Sequence, residues 1–260
     1  MSPNLYQTYH YHAYAHAFSG HFTRPFEHQI DSQAGSALPI VGGHGQARVE
    51  NFQFREFLSF RKGYTHVSGA DEADGSHNTL VTSTIEGLNL LDVVTADRLV
   101  ARLYSKHRTG ELEGSFNMVG SRFEGLRIAD CDVNIKLDLD LFEKIPTYEK
   151  ALKDFENRGE FYKIASDPFK TGEPIKKREP CGVFLCSCVK EMDTTCPGVT
   201  RVGRHGFSVP GFGKIFLGEV LIQHGTRTLT MIRYEIGSAV SADGTAVQDQ
   251  IGRASCRERV

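Results

Sequence analysis

Long apolar runs are missing from this 260-residue chain. Nowhere do about eighteen apolar residues follow one another, so no helical membrane span is expected. A basic start followed by an apolar stretch is missing too. The opening MSPNLYQTYHYHAYAHAF gives no secretory signal to read, and a cytoplasmic location is the expectation that follows. Charge of one sign is scarce. Lys and Arg number 30 against 32 Asp and Glu, a formal net charge of -2, so nothing draws the whole molecule to nucleic acid or anionic lipid. Six cysteines are too few, in a chain this long, for a disulfide scaffold, and free thiols are expected.

The common catalytic templates are missing as well. There is no Gly-x-Ser-x-Gly elbow, and no dinucleotide fingerprint follows a strand. Gly213-Lys214 is followed by Ile215, and Ser208 stands where a phosphate loop needs its first glycine. Gly42-Gly43-His44-Gly45 looks like an oxyanion loop but has no nucleophile to serve, and reads as a connector between strands.

What the chain has is alternation. Ala129, Cys131, Val133, Ile135, Leu137, Leu139 and Leu141 fall on one side of an extended run, with Asp130, Asp132, Asn134, Lys136, Asp138 and Asp140 on the other. Period two marks a half-buried antiparallel strand. Phe52, Phe54, Leu58 and Phe60 make a similar face interrupted at Glu56, and Leu99, Ala101 and Leu103 oppose Arg98 and Arg102. KIFLGEVLIQ and TRTLTMIRYEI, joined through His224-Gly225, predict a hairpin. One helix is expected. Thr147 caps it, Tyr148, Ala151, Leu152 and Phe155 form its apolar stripe, and Gly159 supplies a left-handed stop. The Pro-, Gly- and charge-rich stretch to Pro180 reads as a loop, with Lys176-Lys177-Arg178 on its solvated surface.

A second pattern lies over the first. Glu86-Gly87-Leu88, within STIEGLNLLD, returns as Glu124-Gly125-Leu126 within SRFEGLRIAD, and Val49-Glu50-Asn51-Phe52 is a fainter copy. Gly and Asn are the residues that most readily take positive φ. Between alternating runs they predict a bulge where a strand bends and its faces exchange. Each copy is therefore expected at an equivalent place in successive strands. Residues 78–141, from STIEGLNLLDVVTADRLVARL to GSRFEGLRIADCDVNIKLD and on to Leu141, resemble a pattern in uncharacterised bacterial β-rich proteins, including choice-of-anchor types. The resemblance implies a sandwich-like domain with a surface role and carries no catalytic residues.

Three clusters could carry chemistry. On a strand, His10, His12 and His16 share a face, with neighbours about 6.6–7 Å apart. His10 and His12 could converge on zinc or copper, given a third ligand such as His21 or His44. An aromatic strand whose histidines stack across the sheet is the competing expectation. Cys181, Cys186, Cys188 and Cys196 lack the two-residue gaps of a zinc site and read as buried core thiols. Asp130, Asp132, Asp138 and Asp140 read as a solvated strand face.

The last ten residues, IGRASCRERV, fit no pattern before them. One codon reading of Ile251–Val260 matches a common short-read sequencing adapter, so this stretch is expected to be a non-native artefact. What is left is all-β with one short helical insertion: a sandwich or partly closed barrel of long antiparallel strands. A single domain over 1–250 is expected, with a helix and loop excursion at 143–180. The favoured function is a non-enzymatic structural or binding protein that meets a protein partner, or a second copy, through a broad sheet. The alternative is a metal-binding protein or metal-dependent enzyme centred on His10 and His12.

Overall fold

Alternating side chains can bury one face of a strand and leave the other in water, and strands of this kind fill the chain. The structure, a computed structural model, describes residues 9–22, 28–165, 182–236 and 247–259, with Phe22 and residues 247–259 as backbone alone. In these residues the order is β1 (His10–Phe22), β2 (His28–Gln33), β3 (Ser36–Ala37), β4 (Gly43–Phe54), β5 (Leu58–Asp71), β6 (His77–Leu90), β7 (Val94–His107), β8 (Ser115–Asn117), β9 (Arg122–Glu124), β10 (Arg127–Ile128) and β11 (Cys131–Leu137). Helices α1 (Leu139–Lys144), α2 (Tyr148–Glu156) and α3 (Glu160–Ile164) follow. The chain resumes with β12 (Val183–Ser187), β13 (Val189–Thr194), β14 (Thr200–Val202), β15 (Gly206–Val209), β16 (Gly213–Gln223), β17 (Thr226–Ile236) and β18 (Val247–Arg259).

Two antiparallel sheets result. The first runs β14-β15-β16-β17-β18-β1-β2, with β12 also on β16 and β3 on β1. The second runs β13-β11-β10-β7-β6-β5-β4, with β8 and β9 also on β7. They meet where β1 faces β5 and β6 and where β17 faces β7. The fold is all-β with little helix, as alternation predicts. The buried core draws on both sides of the helical insertion. Tyr11, Val81 and Leu103 pack in one cluster with Phe184, Val220 and Met231.

The recurring Glu-Gly letters find their physical place here. On β6, Val81, Ser83 and Ile85 are buried at odd positions, then Leu88 and Leu90 at even ones. The change falls at Gly87, whose φ is 65°. Asn51 (φ 51°) on β4 and Gly125 (φ 59°) after β9 do the same. The registers put Glu50 opposite Lys62, Lys62 opposite Glu86, Glu86 opposite Arg98 and Arg98 opposite Glu124. One row further on, Asn51, Arg61, Gly87, Asp97 and Gly125 form a crease straight across the sheet. A left-handed residue on every second strand lets the sheet bend while each strand keeps an apolar face on the core. The other sheet uses Gly218 (φ 60°) in the same way, with Ile215 and Leu217 buried before it and Val220 and Ile222 after it.

Gly125 is the least replaceable member of the row. A Cβ there would lie 2.1 Å from Asp97 Oδ2, so Ala would add a collision to the cost of positive φ. Gly125→Ala is expected to destabilise the protein by about 2 kcal/mol. Asp97→Ala in the same chain should restore part of that loss. Denaturant midpoints of the two variants measure both effects, and equal midpoints would contradict the account.

Some local expectations are corrected. The strand read over Ala129–Leu141 covers Cys131–Leu137 alone. Ala129 (φ 49°) and Asp130 (φ 63°) form a tight turn between β10 and β11, with Ile128 opposite Cys131, so the run opens on a hairpin. Leu139 and Leu141 belong to α1, where Leu141 and Phe142 are buried. The apolar run around Glu56 is likewise a hairpin. Phe52 pairs with Phe60 and Phe54 with Leu58 across Arg55, which has φ 52°. The hairpin at His224-Gly225 is present, with Gln223 opposite Thr226. Gly43 to Gly45 open β4, so only Gly42 belongs to the connector expected there.

The helical insertion is three helices and begins at Leu139. Thr147 caps α2 as predicted, accepting from the Lys150 N–H, while Glu113 accepts from the Tyr148 N–H at 2.8 Å. The left-handed stop is Arg158 (φ 55°), not Gly159. Gly159 instead starts α3, beside the Asp154 carboxylate that accepts from the Phe161 N–H at 2.7 Å; a Cβ at 159 would meet that carboxylate at 2.2 Å. The loop expected from Gly159 to Pro180 begins with α3 instead, and its remainder from residue 166, including Lys176-Lys177-Arg178, lies outside the described residues.

Candidate functional site

Bending the second sheet along its crease leaves an outer face with a definite chemistry. Side chains that alternate with the core point away from it. Opposite buried Val67, Ala101 and Leu103 stand Tyr64, His66, Arg98 and Arg102. The Glu50, Lys62, Glu86, Arg98 and Glu124 row crosses this face with charges of alternating sign, each beside its complement. Arg98 Nη2 donates to the Tyr64 hydroxyl at 2.7 Å, and Arg98 Nε lies 3.8 Å from Glu86 Oε1. Arg61 Nη2 reaches Glu86 Oε2 at 3.7 Å from the next row. Arg48 pairs with Glu50, and Arg122 with Glu124. Exposed pairs of this sort contribute about 0–1 kcal/mol each, so the row orients side chains more than it stabilises the fold.

Between β4, β5 and β6 the face sinks into a groove of about 610 Å³. Gln46, Arg48, Lys62, Tyr64, His66 and Glu86 line it. Across the face, Arg48, Lys62, Arg98, Arg102 and Arg122 outnumber Glu50, Glu86 and Glu124, although the chain as a whole is slightly acidic. The surface can accept carboxylates by charge and hydrogen bond and can stack a flat group on Tyr64.

The residues singled out by sequence are placed as follows. His10 and His12 share an exposed face of β1, and His21 and His44 are exposed elsewhere. His16, on the same strand, is buried, with Ser19 Oγ 3.2 Å from its Nε2. Among the described residues no group of three His, Cys, Asp or Glu side chains is arranged as a metal site. Tyr14 stacks with His16 along the strand. Cys186 and Cys188 are fully buried, and burial pushes both thiols up, Cys188 to about 12. They do not share one strand: Cys186 lies in β12 and Cys188 in the link to β13. Cys196 instead meets Cys131, whose hydrogen bond to it, with burial, raises the Cys196 thiol. Continued past its last pair, Val133 with Thr194, the β11–β13 register brings the two opposite each other two pairs further on. Cys181 and Cys256 lie among residues whose side chains are not described. The acidic comb divides: Asp130 sits in a turn, Asp132 on β11, Asp138 at the cap of α1 and Asp140 in its first turn.

Two constellations were not anticipated. His77 and His107 lie directly opposite each other on β6 and β7, beside Tyr9 and Asp71. Glu219, Arg233 and His205 form a buried polar network on the first sheet. Neither is a sequence motif. Strand register sets 77 opposite 107, while Glu219, opposite Thr230, and Arg233, opposite Phe216, meet diagonally through their side chains; the one available signal was a charge inside each half of the predicted β16–β17 hairpin.

Compared with curated proteins and with solved structures, the chain matches nothing. A family model described as a domain of unknown function matches residues 9–223.

Proposed function

The chain belongs to this family of unknown function, DUF8256, and on that premise we propose that it is a non-enzymatic binding protein whose outer sheet face docks an acidic protein partner. The carrying observation is the groove between β4, β5 and β6, with Arg48 and Lys62 on its walls and a surplus of cations around it. Lys62 stands on β5, hydrogen-bonded on both sides, and Arg48 on edge strand β4 beside it, so their spacing is set by the ladder and little order has to be imposed on binding. Charge complementarity then sets encounter rate and register. The resemblance of residues 78–141 to anchor-type domains points the same way, toward attachment and not turnover.

Poly-glutamate at low salt is a direct probe. Saturable binding is expected, weakened at least tenfold by Arg48→Glu with Lys62→Glu and weakened also by added salt. Lys144→Glu with Lys190→Glu, which reverses exposed charge elsewhere, should leave it unchanged. Absence of binding, or equal loss in both double variants, would refute the docking face.

A further inference from the structure

The open end of the space between the sheets holds a cluster that this docking face does not use. His77 begins β6 and His107 ends β7; they are cross-strand partners with ring centroids 6.5 Å apart. Tyr9 lies flat on His77, centroids 4.0 Å apart and planes 4° from parallel. With Glu111 and the loop around it, these rings line a cavity of about 300 Å³.

The hydrogen bonds fix the chemistry of each ring. Asp71 Oδ1 accepts from the Tyr11 hydroxyl at 2.6 Å and faces His77 Nδ1 at 2.7 Å. With Nδ1 held by the Asp71 carboxyl, His77 has Nε2 left for a ligand. His107 is 3% exposed, and neither of its ring nitrogens has a hydrogen-bond partner. Burying an imidazole without a hydrogen-bond partner is destabilising, a penalty that a ligand on its nitrogen would offset.

We propose that His77 and His107 together bind a divalent transition-metal ion of the imidazole-preferring class, zinc or copper. Neutral imidazole nitrogens suit these ions. A carboxylate behind one imidazole, as Asp71 stands behind His77, is the arrangement that orients a metal-binding histidine and raises its basicity. Of the nearby carboxylates Glu111 lines the cavity and Asp71 faces His77, while Lys106 pairs with Asp74 at 3.1 Å and Arg108 with Glu111 at 3.5 Å. Two protein ligands leave the other coordination positions to water, which makes the site open. The proposal stands apart from the docking face, with which it shares no residue.

Calorimetric titration of the full chain with zinc chloride, with magnesium as the hard-ion control, tests it. One zinc per chain is expected and no magnesium. His77→Gln and His107→Gln should each weaken zinc at least tenfold, and Asp71→Asn about 10- to 100-fold. His10→Ala with His12→Ala should leave it unchanged. Substoichiometric copper on the unaltered chain should broaden the ring-proton resonances of His77 and His107, which decides the matter even if a variant fails to fold. No zinc uptake, uptake that follows His10 and His12, or broadening elsewhere would overturn the site. So would competition by a hydrogen-bonding organic molecule with no metal bound.

Discussion

Ending the chain after Gln250 is expected to lower its melting temperature by about 10 °C or more, or to leave it aggregated. Strand β18 sits between β17 and β1 and hydrogen-bonds to both. Without residues 251–259, β1 from His10 to Phe18 and β17 from Thr226 to Ile232 lose the neighbour on one side. The first sheet would then fall into two pieces, β14 to β17 and β1 to β3. Each backbone hydrogen bond contributes about 1 kcal/mol net, and several would go at once. In a chain of this size each kcal/mol shifts the melting point by about 2–4 °C. Two newly bared edges would also invite strand pairing between molecules. The same ten residues read as a translated adapter, and that reading makes the opposite forecast, an unchanged melting curve. A third chain, with Ile251–Val260 replaced by alternating Thr and Val, separates pairing from sequence. If the fold asks only for a strand there, this chain should melt at least as high as the original.

How much of this was legible in the letters depends on distance along the chain. Alternation made β6 and β7 readable, because burial of one sheet face is written residue by residue. The crease was readable for the same reason: Asn51, Gly87 and Gly125 each break the parity of a strand, and few residue types tolerate the backbone that the break needs. Turns without such residues were hidden. Ala129-Asp130 takes positive φ with neither Gly nor Asn, so β10, the turn and β11 looked like one continuous run. Helix α1 was hidden because Leu139 and Leu141 continue the two-residue rhythm of β11, while the packing of Phe142 and Ile145 favours a helix. The polar clusters were least legible. Glu219 and Arg233 are fourteen residues apart and not even opposite in the hairpin register, and only their folded side chains show that they meet.

That pair carries the second large expected effect. Glu219 Oε2 accepts from Arg233 Nε at 2.6 Å, and Glu219 Oε1 accepts from Arg233 Nη2 at 2.9 Å. His205 Nε2 stands 3.1 Å from the same Oε1. The guanidinium lies 4.1 Å over the Phe216 ring and also pairs with Glu235. Burial alone would raise the Glu219 carboxyl, but the hydrogen bonds from Arg233 and then His205 outweigh it and bring it down to about 2. Glu219→Leu removes the anion and leaves Arg233 buried with Glu235 alone. Breaking a buried pair in this way costs about 3–5 kcal/mol, and the expected loss is near the lower end because Glu235 remains. Glu219→Leu with Arg233→Met removes both charges and should recover to within about 1 kcal/mol of the original. The pH dependence has a definite sign. A carboxylate depressed from 4.5 to about 2 on folding contributes stability that is complete above about pH 4.5 and is lost as pH falls through about 2. Denaturant midpoints measured between pH 6 and 2 should therefore fall more steeply for the original chain than for the double variant. Parallel curves would mean that Glu219 is not ionised in the fold, and the account of the network would fail with it.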